Sequence, residues 1–126
     1  MNLLMRKKKV MSQITFDIEL ALLSPTALSS EVEDTLKKSH ELERREKQGW
    51  GLVIRSPTNS EKSLADQIDL FLSSLSKYEE LLRRCKPVLR VAIFNPKATC
   101  TVTLPRLEKI SALGAQLEIS VYPASE

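Results

Sequence analysis

Residues 63–85 read SLADQIDLFLSSLSKYEELLRRC, and the fold turns on this stretch. Apolar side chains at Leu64, Ile68, Phe71, Leu75, Tyr78, Leu82 and Cys85 recur in alternating steps of four and three. That spacing stacks one side chain above the next on a single face of an α-helix, and no strand reproduces it. Ser63 with Asp66 has the form of a capping box, in which hydroxyl and carboxylate satisfy first-turn N–H groups. Asp66 and Asp69 sit at the positive end of the helix dipole, and Arg83, Arg84 and Lys86 at the negative end. Pro87 biases Lys86 away from helical angles and closes the segment. Ser73, Ser74 and Ser76 are its weak point, where a bend or a division into two helices is expected. A helix with one apolar face must cover something, and the flanking segments supply a sheet.

Upstream, Gln13–Leu20 alternates Ile14, Phe16, Ile18 and Leu20 with Thr15, Asp17 and Glu19, the pattern of a strand with one buried and one wet face. Residues 24–39 read as a helix that starts at Ser24-Pro25 or, equally, at Ser29 or Ser30. Its inner face is Leu28, Val32, Thr35 and Leu36. His40–Gln48 is a charge run. The pairs Lys37/Glu41 and Glu41/Arg45, four residues apart, suit a solvated helix end or a loop, and a binding surface is the sharper alternative. Trp50–Arg55 is the second expected strand, with Trp50, Leu52 and Ile54 inward and the tryptophan at the core edge. Gly49 and Gly51 flank that tryptophan, as they would where another backbone passes close.

Downstream, Val88–Phe94 is the third expected strand, with Leu89, Val91 and Ile93 inward and Arg90 outward. Asn95-Pro96-Lys97-Ala98 is turn chemistry leading to a fourth, Thr99–Leu104. Its outward row of Thr99, Thr101 and Thr103 carries no charge to guard an edge, so a homodimer through it is an expectation. Pro105 opens a short helix with Leu107, Ile110 and Leu113 inward, stopped by Gly114. Leu117, Ile119 and Val121 alternate as a fifth strand. The expected fold is α+β: a single antiparallel sheet of about five strands with helices on one face, in the order β-α-β-α-β-β-α-β. From the second strand on, that order fits a ferredoxin-like sheet.

At 126 residues the chain suits one domain with one core. Its net charge of +3 falls to −1 without Arg6, Lys7, Lys8 and Lys9, because residues 1–10 hold no acid. Residues 1–11 are therefore expected to be a basic disordered tail and residues 12–126 the domain. The tail lacks the apolar run of a secretory signal, and no stretch is long and apolar enough to span a bilayer, so a cytoplasmic protein is expected. Cys85 and Cys100 both fall on inward positions and read as buried thiols.

The chemistry-bearing patterns are few. Three glycines, at 49, 51 and 114, provide neither a P-loop nor a dinucleotide fingerprint. One histidine, His40, and no Cys-x-x-Cys argue against a zinc site, and no cofactor is implied. Asp17 and Glu19 share the wet side of the first strand, where Glu118 joins them; solvated carboxylates are the plainer reading than an acid/base site. Arg55, Arg90 and Tyr122 on that face are too few, against those acids, for an RNA-binding sheet.

From Gly49 onward the chain resembles a small bacterial domain family of unknown function linked to the immunity proteins of toxin systems. The resemblance rests on Gly49-Trp50 entering a strand, on Ser63-Leu64-Ala65-Asp66-Gln67-Ile68 opening a leucine-rich helix, and on Leu107 with the closing run Leu113–Tyr122. Family members begin with an alternating strand like Gln13–Leu20, whereas residues 24–48 depart from their short helix and Gly-containing turn. The resemblance implies a non-enzymatic interaction protein with a toxin as partner, and it carries over no catalytic residue. The expected partner contacts are Glu41, Glu43, Arg44, Arg45, Arg55, Arg90 and Tyr122. The alternative is a small enzyme or ligand-binding domain with a pocket holding His40, or Tyr122 with Asp17 and Glu19.

Overall fold

The computed structural model describes residues 14–45, 50–57, 62–95, 103–104 and 107–123, apart from the side chains of Ala27, Trp50 and Asn95. In order, the elements are β1 (Thr15–Leu22), a 3₁₀ turn (Pro25–Ala27), α1 (Ser30–Ser39), β2 (Glu41–Arg45) and β3 (Trp50–Arg55). There follow α2 (Leu64–Ser74), a second 3₁₀ turn (Ser76–Tyr78), α3 (Glu79–Arg83), β4 (Pro87–Asn95), α4 (Glu108–Ala112) and β5 (Gln116–Pro123). The class is α+β with one five-stranded sheet, ordered β2-β3-β1-β4-β5.

Three strand pairs are antiparallel (β2 with β3, β3 with β1, β1 with β4), but β5 runs parallel to β4. The sheet is therefore mixed, not wholly antiparallel. The reason is the connection: a strand that returns after a crossover through a helix, here α4, runs in the direction of the strand it left. Two crossovers interleave, since β1–α1–β2 reaches across β3 and β3–α2–α3–β4 reaches across β1. A ferredoxin-like interleaving was expected from the second strand on, with the first strand added at an edge; it begins at β1 instead, which lies at the centre of the sheet, and β5 adds at the far edge. The charge run contributes β2, in place of the expected helix end. Of the expected strand Thr99–Leu104, residues 99–102 lie outside the described residues, and with them Cys100 and Thr99 and Thr101 of the threonine row that carried the dimer; the tail lies outside them too. Thr103 and Leu104 belong to no regular element, although Leu104 packs against the core.

One face of the sheet makes the core. Ile18, Leu20 and Leu22 of β1, Leu52 and Ile54 of β3, and Leu89, Val91 and Ile93 of β4 are buried against Leu36, Ile68, Phe71, Leu75, Leu82, Ile110 and Leu113. The organising stretch divides at its serines: α2 ends at Ser74, and Leu75 caps it with its backbone N–H on the Leu72 and Ser73 carbonyls. Ser63 Oγ accepts the Asp66 N–H at 3.2 Å, as the cap requires. Of the seven expected face residues all are buried except Tyr78, which is half-buried. Lys86, before Pro87, has φ 52°, a left-handed turn that takes the chain from α3 into β4. Gly114 does the same after α4 with φ 65°, where a glycine avoids the Cβ clash.

Four expected inward residues are exposed. Thr35 is exposed and its hydroxyl donates to the Glu31 carbonyl at 2.9 Å. Leu107 is 56% exposed, and Ile119 and Val121 are 43% and 58% exposed, because α4, five residues long, leaves the outer half of the edge strand uncovered. Gly51 answers to the expected close approach: a Cβ there would lie 2.7 Å from Pro25 Cγ and 3.3 Å from the Leu22 carbonyl oxygen. It also sits where the β2–β3 register shifts between Glu43 and Arg45, so that Gly51 and Leu52 of β3 face Arg44 alone.

Leu75 is fully buried between the two halves of the divided helix. Leu75→Ala is expected to cost about 2–5 kcal/mol through the cavity it opens, measured by urea unfolding. A cost below about 1 kcal/mol would mean that the junction collapses onto the space.

Candidate functional site

The second face of the sheet has a charge pattern set by register. Glu41 pairs with Arg55, Arg55 with Glu19, Glu19 with Arg90 and Arg90 with Glu118, one residue from each strand across the whole sheet. The signs alternate along this row, and directly opposed opposite charges are the favourable cross-strand combination. On one side of the row Ala21, Val53 and Val88 are buried. On the other, Asp17, Ala92 and Ser120 make the next row and Thr15, Phe94 and Tyr122 the one after.

The ion pairs thread this face. Arg55 Nη2 meets Glu43 Oε2 at 2.8 Å, and Arg45 Nη2 meets the same oxygen at 3.0 Å. Arg45 Nη1 continues to Glu19 Oε2 at 3.0 Å, Arg90 Nη1 reaches that oxygen at 3.3 Å, and Arg90 Nε reaches Glu118 Oε1 at 3.1 Å. Hydrogen bonds from Arg45 and then Arg55 hold the Glu43 carboxyl below its ordinary pKa, and Glu43 in return raises that of Arg45. Glu19 is the hinge of the network, since its side chain is only 18% exposed and binds arginines arriving from both sides of β1.

Between this row and the aromatic one lies a hollow of ≈ 300 Å³, walled by Arg45, Arg55 and Arg90 and floored by Asp17, Ala92 and Ser120. Phe94 and Tyr122 form the far wall, with ring centroids 5.4 Å apart and planes 20° from parallel. Small residues at 92 and 120 make the hollow; longer side chains there would fill it. Of the expected contacts, Glu43, Arg45, Arg55, Arg90 and Tyr122 thus converge, and Glu41 joins by register. Arg44 does not, because the alternation along β2 turns it to the helix side, where it pairs with Glu33 of α1. Phe94 and Ser120 were not singled out from the sequence. Nothing local marks them, since their role comes from the β4–β5 register.

His40 lies elsewhere, in a hollow of ≈ 220 Å³ with Gln67, Phe71 and Ser74. Its Nε2 is 2.8 Å from Ser74 Oγ and its Nδ1 2.9 Å from Ser39 Oγ. Ser74 Oγ donates to the Phe71 carbonyl at 2.6 Å, so it accepts from the histidine and its proton is not held for transfer to the ring. The pair ties the end of α1 to the end of α2. Burial lowers the pKa of His40, against the opposing effect of the Leu36 carbonyl.

Among the described residues no His, Cys, Asp and Glu side chains group as a metal-ligand set, and no helix is long and apolar enough to cross a membrane. No family model, curated protein or solved structure matches the chain.

Two outcomes are expected from the network and from His40. Glu19→Gln removes the charge shared by Arg45 and Arg90, leaving each with one carboxylate, and is expected to lower stability by about 1.5–3 kcal/mol, whereas Glu118→Gln at the exposed rim changes it by less than about 0.5 kcal/mol; chemical denaturation of both variants checks this. Since the folded state disfavours protonated His40, its contribution is complete above the ordinary pKa of 6.5 and is lost as pH falls through the lowered value. The stability difference between wild type and His40→Gln should therefore be flat above pH 6.5 and shrink below it. A difference independent of pH would mean that the ring titrates alike folded and unfolded.

Proposed function

We propose that this chain is a non-enzymatic interaction domain that docks a protein partner on the second face of its sheet. In its narrower form the reading is immunity-like: the face covers a toxin's site and blocks it, in the cytoplasm. The observation that carries it is the convergence of Glu43, Arg45, Arg55, Arg90 and Tyr122, from four strands, on one exposed and concave surface. Arginine and tyrosine are the residue types that anchor protein interfaces, and the alternating charges favour one partner register over others. Balanced signs argue against nucleic acid, whose phosphates demand an excess of positive charge. The resemblance to the toxin-immunity family supports the narrower form.

A second reading is a small-ligand domain. It is favoured by the placement of Asp17, Glu19 and Tyr122 around the same hollow. A nucleophile or a proton-transfer pair there would be needed to make it an enzyme, and the carboxylates of Glu19 and Glu118 are engaged by arginine instead.

A photo-crosslinking residue placed at Ala92 or Tyr122, against one at Lys38 on α1, tests the docking face in cells. A discrete protein adduct is expected from the sheet positions and none from Lys38. Equal labelling from both would remove the assignment, and an adducted protein harmless to cells lacking this chain would remove its immunity-like form.

A further inference from the structure

Charge accounting among the residues that line the hollow leaves one group over. Along the chain Arg55–Glu43–Arg45–Glu19–Arg90–Glu118, three guanidiniums meet three carboxylates, each link an ion pair of 2.8–3.3 Å. Asp17 stands outside it. Its carboxylate is exposed on the floor of the hollow and has neither ion pair nor hydrogen bond among the described residues. We infer that the hollow receives a basic side chain of the docking partner, an arginine in preference to a lysine, with Asp17 as its counter-charge. This rests on the docking reading and specifies the partner's chemistry.

Three features select a cation. An anion entering the hollow would have to take an arginine from its carboxylate and leave that carboxylate unpaired, whereas a cation finds Asp17 with no partner to displace. Arg55 Nε does lack an acceptor, but it is buried, out of reach of a group lodged in the hollow. The wall opposite the arginines is the Phe94–Tyr122 stack, and Tyr122 is 48% exposed, so a ring is presented to an incoming charge. The floor beside Asp17 is Ala92 and Ser120, which leaves width for a flat group and a hydroxyl oxygen to accept from it. A planar guanidinium can stack and donate at once, which an ammonium cannot. At ≈ 300 Å³ the hollow lies at the bottom of the range for small-molecule sites and has room for an arginine side chain.

The test is a titration of the full chain, followed by backbone amide shifts, with N-acetyl-arginine amide, N-acetyl-lysine amide and N-acetyl-glutamate amide in turn. Saturable shifts are expected at Asp17, Ala92, Phe94, Ser120 and Tyr122 with the arginine compound, weaker ones with the lysine compound and none with the glutamate compound. Asp17→Asn should weaken arginine binding about fivefold, the scale of one exposed ion pair. Tyr122→Ala, at an exposed position, should weaken it as well. The proposal is overturned by saturable shifts with the glutamate compound alone, by no saturable response to the arginine compound, or by unchanged affinity in Asp17→Asn. Its failure is distinguishable from failure of the docking reading. If the Ala92 crosslink to a partner persists undiminished in Asp17→Asn, the face docks a protein but not through this slot.

Discussion

The sheet depends on β1 having a partner on each edge. Both of its hydrogen-bonding edges are taken, by β3 and by β4, so it cannot shift by one residue without breaking two registers together. Such a slip would also send Ile18, Leu20 and Leu22 to the charged face and Asp17 and Glu19 into the core. The remaining strands stack outward from this constraint: β2 is held by β3, and β5 by β4. Glu19 expresses it in one side chain, since its carboxylate reaches Arg45 and Arg90 only if β1 lies between the strands that carry them.

The charged row across five strands is weakly stabilising for its size. Exposed ion pairs are each worth a fraction of a kcal/mol, and those nearer the centre lose much of their attraction to desolvation. The alternation of sign does more for selectivity. A strand shifted along its neighbour would forfeit these pairs, as when Arg90 comes to face Gln116 or Ser120 in place of Glu118. A partner meeting the same face would encounter the same discrimination, because its own charges must match a fixed sequence of signs. Folding register and partner choice are thus served by one set of residues.

Much of the architecture was legible locally. The four-three spacing of 64–85 marked a helical face, the serines marked where it divides, and strict alternation marked β1, β3 and β4. What escaped was β2. Glu41–Arg45 shows one apolar residue, Leu42, among charges, and its four-apart pairs look helical. An edge strand beside α1 needs little more than that single inward side chain, because one edge pairs with β3 and one face is wet. Missing β2 hid the Arg45–Glu19 contact, although both residues had been marked as wet and charged. The exposure of Ile119 and Val121 was equally hidden, since alternation records which way a residue points but not whether a helix reaches far enough to cover it.

Interleaved crossovers have a consequence for the order in which the sheet is completed during synthesis. β1 emerges from the ribosome before the other strands, yet the strand that closes its second edge comes only after β2 and β3: Glu19 and Arg90 are 71 positions apart. At about 5–20 residues per second, the nascent β1 waits several seconds for β4. In that interval it can have β3 on one side and nothing on the other, with Phe16, Ile18 and Leu20 lacking the α2 and α3 side chains until those helices have been made. Sheets built from such distant pairings form slowly for the same reason. The central strand is therefore the first strand of the sheet to be made, and it waits through the synthesis of β2 and β3 for its second neighbour.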